Sequence, residues 1–151
     1  MKLTCAVKRF LTAGAVVFVM LMTSACGMLN INGGPSVFRA ETDSKTQIKV
    51  FAENAPAGET ITAGQLEVAE GDGMRITSDL KRGNIKISVY EMEENHLTEE
   101  QYAASDTPII SANLRMDDCV SATLMPEGEY LVKAECTEKA SGEIGIKLIR
   151  Q

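Results

Sequence analysis

Side chains able to act as acids, bases or nucleophiles are few in this chain, and their spacing does not suit catalysis. His96 is the single histidine. It lies in a polar stretch without a Gly-x-Ser-x-Gly sequence, so we expect a surface residue rather than part of a catalytic triad. The carboxylates at 93–94, 99–100 and 117–118 are adjacent pairs, which in strands point to opposite faces rather than flanking one glycosidic bond. We predict that the protein is not an enzyme.

Metal and cofactor chemistry has equally little support. Asp72, Asp117 and Asp118 could offer the oxygen ligands that Ca²⁺ prefers, but no EF-hand spacing surrounds them. The segment Gly71-Asp72-Gly73 lacks the lysine of a phosphate-binding loop, so we interpret it as a turn. We predict no metal and no cofactor.

The first 25 residues have the composition of an export signal. They contain Lys2, Lys8 and Arg9 and no acidic residue. An uncharged run of 13 residues, 10–22, follows, and small residues lead from it to Cys26. This run is shorter than the ~20 apolar residues of a membrane-spanning helix. The pattern therefore favours a signal peptide over residues 1–25 rather than an uncleaved anchor.

Residues 23–26, Thr-Ser-Ala-Cys, resemble the lipobox of bacterial lipoproteins, and the resemblance is confined to residues 1–26. It implies that a lipid is attached to the sulfur of Cys26, that the signal is cut before this residue, and that the new amine is acylated. Thr23 departs from the pattern, because an aliphatic residue is usual at that position. Ordinary cleavage after Ala25, giving a secreted protein, stays as the alternative.

Net charge restricts the partners of the chain. It has 15 basic and 21 acidic residues, a net charge of −6, which disfavours nucleic acid. Loss of residues 1–25 takes away three basic and no acidic residues and leaves −9. Anionic headgroups repel such a surface, so we expect the lipid at Cys26 to provide membrane attachment. Residues 26–36 follow as the lipidated N-terminus and a flexible spacer.

From residue 37 to 151 short apolar–polar alternations are separated by turn residues. Alternation of period two, recurring every 8–12 residues, indicates antiparallel strands with one buried face. Eight or nine such strands predict an all-β domain, an antiparallel β-sandwich of Ig-like or jelly-roll type. The residues expected to face inward are Ile48, Val50, Leu66, Val68, Met74, Ile76, Ser78, Leu80, Ile85, Ile87, Val89, Ile110, Ala112, Leu114, Met116, Val120, Ala122, Leu124, Tyr130, Val132, Ala134, Ile144, Ile146 and Leu148.

One polar and acidic segment, residues 93–106, interrupts this pattern. Thr98 and Gln101 have the spacing of a capping box, so we predict a short helix near 98–104, inserted between two strands. Loops on a rigid sandwich often carry binding residues. A small envelope enzyme or enzyme inhibitor acting through residues 93–106 is therefore the alternative function, and a solvated connector is the simpler interpretation.

Leu124, Pro126 and Tyr130 have the spacing L-x-P-x-x-x-Y. This stretch resembles the tyrosine corner of fibronectin type III and immunoglobulin-like domains, and its Gly-x-Tyr part resembles a strand start in prepeptidase C-terminal-type jelly rolls. The resemblance implies a buried ring whose hydroxyl group bonds to backbone at the turn. A plain hairpin through residues 126–128 is the alternative. Neither interpretation implies an activity.

Of the four cysteines, Cys5 lies in the signal and Cys26 is the lipidation site, which leaves Cys119 and Cys136 as a candidate disulfide of an exported protein. A hairpin with a four-residue loop places these two opposite each other but misaligns the apolar faces of its strands. A three-residue loop aligns the faces and offsets the cysteines by one position. Strands in opposite sheets would again allow a bridge, so the pairing stays open.

Phe51 and Tyr90 point away from the main apolar faces of their strands. We expect them to cover a second core face, with a small binding patch as the alternative.

Together these features predict a membrane-anchored extracytoplasmic lipoprotein that acts as a non-catalytic binding or structural module of the cell envelope. Its expected partners are the membrane, through the lipid, and an envelope protein or glycan.

Overall fold

A computed structural model of the chain describes residues 34–94 and 102–150. These residues form ten β-strands and no helix, and therefore no helix long and apolar enough to cross a membrane. From Ser36 onward they belong to one compact unit. The strands are β1 Val37–Ser44, β2 Gln47–Ala55, β3 Thr60–Val68, β4 Gly73–Arg82, β5 Ile85–Glu94, β6 Tyr102–Ala104, β7 Ile110–Leu114, β8 Cys119–Ala122, β9 Gly128–Cys136 and β10 Ala140–Ile149.

The strands form two antiparallel sheets in jelly-roll order. The first sheet runs β1-β2-β10-β4-β8, and the second runs β3-β9-β5, with β6 and β7 both paired to β5. Leaving out β1 and β6, every connection except that from β5 to β7 crosses between the sheets. This double Greek key is the jelly-roll alternative rather than the Ig-like one. The all-β sandwich predicted from the sequence is confirmed.

Period-two alternation builds the core between the two sheets. Ile48 and Val50 of β2 lie directly opposite Ile146 and Ile144 of β10, and all four are fully buried. Burial of such side chains is the main favourable term in folding, and a slip of one residue would turn every one of them outward. The second sheet contributes Leu66, Ile85, Ile87, Val89, Tyr130, Val132 and Ala134 to the same core.

Two inward positions expected from the alternation are wrong. Met116 and Leu124 are 55% and 69% exposed, because β7 and β8 have already ended before these residues. After β7 the chain turns at once: the carboxylate of Asp118 accepts a hydrogen bond from the amide of Arg115 at 2.7 Å, and Asp117 has a φ of 58°. Local Asp-to-backbone bonding of this kind competes with continuation of a strand.

The helix predicted near 98–104 is not present in the part of that segment that is described. Residues Tyr102–Ala104 form β6, which pairs antiparallel with residues 92–94 of β5. Here β5 has extended past its pairing with β7, which ends at Val89. The amide of Ser105 donates to the carbonyl of Glu91 and the amide of Ile109 to that of Val89, so β6 continues along the same edge of β5. A short capping signal gives little helix stability against such pairing. Residues 95–101 lie outside the described residues.

Strand β1 is an additional strand at the edge of the first sheet. It pairs with β2, from Val37 opposite Glu53 to Ser44 opposite Gln47. The hydroxyl group of Thr42 also donates to the carbonyl of Ala63 in β3, at 3.3 Å. A Cβ at Gly64 would lie 2.5 Å from this hydroxyl oxygen, so glycine is needed for the close approach. β1 thus connects the two sheets along one side of the sandwich, through its pairing with β2 and its hydrogen bond to β3.

We predict that Gly142→Ala destabilises the fold strongly. Gly142 lies at a bulge of β10 with a φ of 133°, and a Cβ there would lie 2.5 Å from the carbonyl oxygen of Asp79. The expected loss in free energy of unfolding exceeds about 1 kcal/mol, measured by urea denaturation. Gly145→Ala is the control, because its Cβ would meet only the hydroxyl oxygen of Thr77, at 3.2 Å. Equal stability of the two variants would contradict the prediction.

Candidate functional site

The two ends of the sandwich differ in what they carry. At the near end β1 begins with Val37, opposite the last residues of β2. At the far end lie the β1–β2 turn, the end of β3, the start of β9 and the end of β10. A groove of about 370 Å³ is open at this far end. It is lined by Lys45, Thr46, Glu67, Val68, Ala69, Glu127, Gly128, Glu129 and Arg150.

Three charged side chains from separate segments meet in this groove. The Nζ atom of Lys45 lies 2.9 Å from Oε2 of Glu67 and 3.5 Å from Oε1 of Glu129. Glu67 and Glu129 are direct cross-strand partners, and like charges in this arrangement are destabilising. Lys45 offsets their repulsion. In turn the hydrogen bond and charge of Glu67, followed by the charge of Glu129, raise the pKa of Lys45, so Lys45 stays charged throughout the neutral range.

Backbone hydrogen bonds hold the turn that carries Lys45. The amide of Glu67 donates to the carbonyl of Lys45, and the amide of Leu148 donates to the carbonyl of Thr46, both at 2.9 Å. Glu67 belongs to the second sheet and Leu148 to the first, so the turn is tied to both sheets. A fixed backbone reduces the conformational entropy that the exposed lysine loses when it forms its ion pairs.

Two further charges of opposite sign line the groove. Glu127 lies just before β9 and Arg150 just after β10, and both are exposed. Within residues 34–94 and 102–150, neither makes an ion pair. Gly128, the residue after Glu127, adds no side chain to the lining, and a Cβ there would lie 3.9 Å from the ring of Tyr130. Among the described residues, the groove therefore offers a carboxylate and a guanidinium without ion-pair partners, beside the ion pairs of Lys45.

The sequence-predicted Tyr130 packs directly behind this groove. Its ring is fully buried, and its hydroxyl group donates to the carbonyl of Pro126 at 2.8 Å. Burial first, and the charge of Glu91 second, raise the pKa of Tyr130, so the phenol remains protonated and keeps this bond. Leu124, the first residue of the L-x-P-x-x-x-Y stretch, is exposed.

The structure does not bring Cys119 and Cys136 together, and both are free thiols. Cys119 is exposed on β8 in the first sheet, whereas Cys136 is buried on β9 in the second. β8 pairs with β4 rather than with β9, so neither hairpin register considered from the sequence forms. Burial, followed by the charges of Glu59 and Glu135, raises the pKa of the Cys136 thiol to about 12, and a protonated, buried thiol is unreactive.

The two aromatic residues singled out from the sequence lie on outer faces of the sheets rather than in the core. Phe51 is on the first sheet with the guanidinium of Arg39 5.1 Å from its ring centroid. Tyr90 is on the second sheet with the ammonium of Lys133 5.0 Å from its ring centroid. Each ring is half-buried. A cation over the ring stabilises this position and covers the face that a sugar would stack on.

Two of the three aspartates considered as calcium ligands, Asp72 and Asp118, have backbone partners. Asp72 is buried, and its carboxylate accepts a hydrogen bond from the amide of Ala69 at 3.2 Å. Asp118 bonds to the amide of Arg115 in the β7–β8 turn. In the described part of the chain no three His, Cys, Asp or Glu residues are grouped so that they could hold a metal ion. Cys26 and His96 lie outside the described residues.

Sequence reasoning missed all five charged residues of the groove. They come from the β1–β2 turn, the end of β3, the start of β9 and the residue after β10, and no local motif joins them. Only the jelly-roll connections bring these segments to one end. The five residues are Lys45, Glu67, Glu127, Glu129 and Arg150.

Comparison with known proteins gives distant similarities in structure only. No family model and no curated protein matches the chain. It is similar to the crystal structure of PirA, with a TM-score of 0.43 and 11% identity over 80% of this chain and 100% of that one. It is also similar to the cupin domain of Schizosaccharomyces pombe Cnp3, with a TM-score of 0.34 and 11% identity over 78% of this chain and 64% of that one. A cupin domain from Bordetella pertussis has a TM-score of 0.31 and 11% identity over 76% of this chain and 93% of its own.

We predict that Cys119 and Cys136 differ in reactivity. Iodoacetamide should label Cys119 in the folded protein because its thiol is exposed, and should label Cys136 only after denaturation because burial keeps that thiol protonated. Mass spectrometry of the digested protein measures both. Equal labelling of the two in native buffer would refute the assignment, as would a requirement for reductant before either reacts.

We predict that Tyr130→Phe lowers the free energy of unfolding by about 1 kcal/mol, because it removes the hydrogen bond to Pro126 while keeping the buried ring. Denaturant titration measures the change. Tyr90→Phe serves as the control: its ring is only half-buried, and we expect a change within about 0.5 kcal/mol. A Tyr130→Phe protein as stable as its parent would show that the bond contributes nothing.

Proposed function

We propose that this protein is a membrane-anchored extracytoplasmic lipoprotein whose jelly-roll domain is a non-catalytic binding module of the cell envelope. In this proposal the lipid is attached at Cys26, and residues 26–36 form the spacer between membrane and domain. The resemblance of residues 23–26 to a lipobox supports the anchor. The groove at the far end supports the binding role, because a concave site lined by convergent polar groups is the usual form of a binding site.

The observation that carries the proposal is the opposite placement of the first strand's beginning, at Val37, and the groove. The domain begins at Val37 at the near end, and the groove lies at the far end. The eight residues of β1, Val37–Ser44, span the distance between them, which is about 23 Å for seven steps of ~3.3 Å. A domain held through Val37 would therefore present its groove away from the attachment point and toward a partner.

The β5–β6 pairing adds a second feature at the same end. Residues 92–94 of β5 extend beyond Glu91, the last residue that pairs with β9, and bond to β6. This pairing therefore projects past the body of the second sheet. Extensions on a rigid sandwich are common positions for partner-binding residues, so the far end has two features that suit contact with a ligand.

We predict that Cys26→Ser abolishes incorporation of labelled fatty acid and releases the protein from the membrane fraction. The sulfur that would accept the lipid is then absent, and a hydroxyl does not replace it. Labelling of cells with radioactive palmitate, followed by fractionation, measures both effects. The matched control is Cys119→Ser, which removes an exposed thiol of the domain and should leave labelling unchanged.

Two outcomes would overturn the anchor. Labelling of the Cys26→Ser protein at the parental level would exclude this residue as the lipidation site. A native protein that still starts at Met1 and is recovered from the cytosol would exclude export altogether.

A further inference from the structure

The charges of the far-end groove are only partly neutralised by one another. Lys45 forms ion pairs with Glu67 and Glu129. Glu127 and Arg150 line the same groove, yet within the described ranges neither forms an ion pair, with each other or with a third residue. With respect to the described residues, one carboxylate and one guanidinium are therefore available to bind a ligand.

The balance of charge restricts the ligand. The groove contains three glutamates and two cationic side chains, so a simple anion at Arg150 would be repelled by the neighbouring carboxylates. A simple cation at Glu127 would in the same way meet Arg150 and Lys45. A molecule that carries an ammonium and a carboxylate satisfies both free groups at once, because guanidinium binds carboxylate through paired hydrogen bonds and a carboxylate binds ammonium.

The size of the groove agrees with a small ligand. A volume of about 370 Å³ falls within the range of small-molecule sites. Gly128, the residue after Glu127, adds no side chain to the lining, and a Cβ there would lie 3.9 Å from the buried ring of Tyr130. Val68 and Ala69 add a small apolar part to the lining.

We propose that the groove binds a zwitterion, a free amino acid or a short peptide with both ends free. The carboxylate of this ligand pairs with Arg150 and its ammonium with Glu127. This ligand class rests on the proposed function as a binding module, but not on the lipid at Cys26.

The test is isothermal titration calorimetry of the purified full chain with trialanine as the probe. We expect binding of trialanine, and a loss of at least about tenfold in affinity for N-acetyl-trialanine and for trialanine amide, because each blocks one of the two charges. Arg150→Gln and Glu127→Gln should each weaken trialanine binding to a similar degree. Lys147→Gln removes an exposed charge of β10 outside the groove and should bind as the parent does.

Several results would overturn the zwitterion site. These are no heat of binding at millimolar trialanine, equal affinity for the blocked peptides, or equal loss in Lys147→Gln and Arg150→Gln. The fatty-acid labelling at Cys26 is measured separately, so a chain that is lipidated but does not bind trialanine would refute the ligand class and leave the anchor intact. A chain that binds trialanine but is not labelled with fatty acid would refute the anchor and leave the ligand class intact.

Discussion

Burial of one face of each sheet against the other is the constraint on which the whole structure depends. Apolar side chains occupy alternate positions along the long strands, and those of the two sheets meet in one core. Since a shift of one residue would expose a complete set of them, the register of each long strand is fixed. The same register fixes every outward side chain, so the positions of the charged residues at the far end follow from the packing of the apolar ones.

The charge cluster in the groove shows how this constraint acts on the surface. Core packing sets Glu67 and Glu129 opposite each other, an arrangement that like charges disfavour. Lys45 comes from the turn between two strands of the other sheet and forms ion pairs with both. A polar surface contact thus joins the sheets at the same end where Tyr130 packs beneath the loop that precedes β9.

The sequence predicted the strands well because their alternation is strong. The buried runs around Ile48, Met74, Ile87 and Ile144 lie in strands as expected. The choice between jelly roll and Ig-like order was not predictable, since it depends on which edges pair rather than on any one strand. The ends of β7 and β8 were missed because alternation continues past them in the sequence. In the structure the amide of Arg115 bonds to Asp118 just after β7, and the amide of Met125 bonds to the carbonyl of Asp72 just after β8.

The groove could not be predicted for a related reason. Its residues lie in segments far apart in the chain, and each looks like an ordinary solvated charge when considered alone. What unites them is the crossing of the connections from sheet to sheet. The β1 strand shows the same dependence on context: its partly buried Phe38 and Ala40 give a weak signal, and its place is set by the edges of β2 and β3.

That placement of β1 has a mechanical consequence. The chain before Ser36 joins the domain at the end of the strand remote from the groove, so opposing forces on that chain and on a ligand in the groove run parallel to the strands. The backbone hydrogen bonds of the seven β1–β2 residue pairs would then bear the force together in shear, rather than break one after another. The first strand is therefore oriented to hold under tension rather than to unzip.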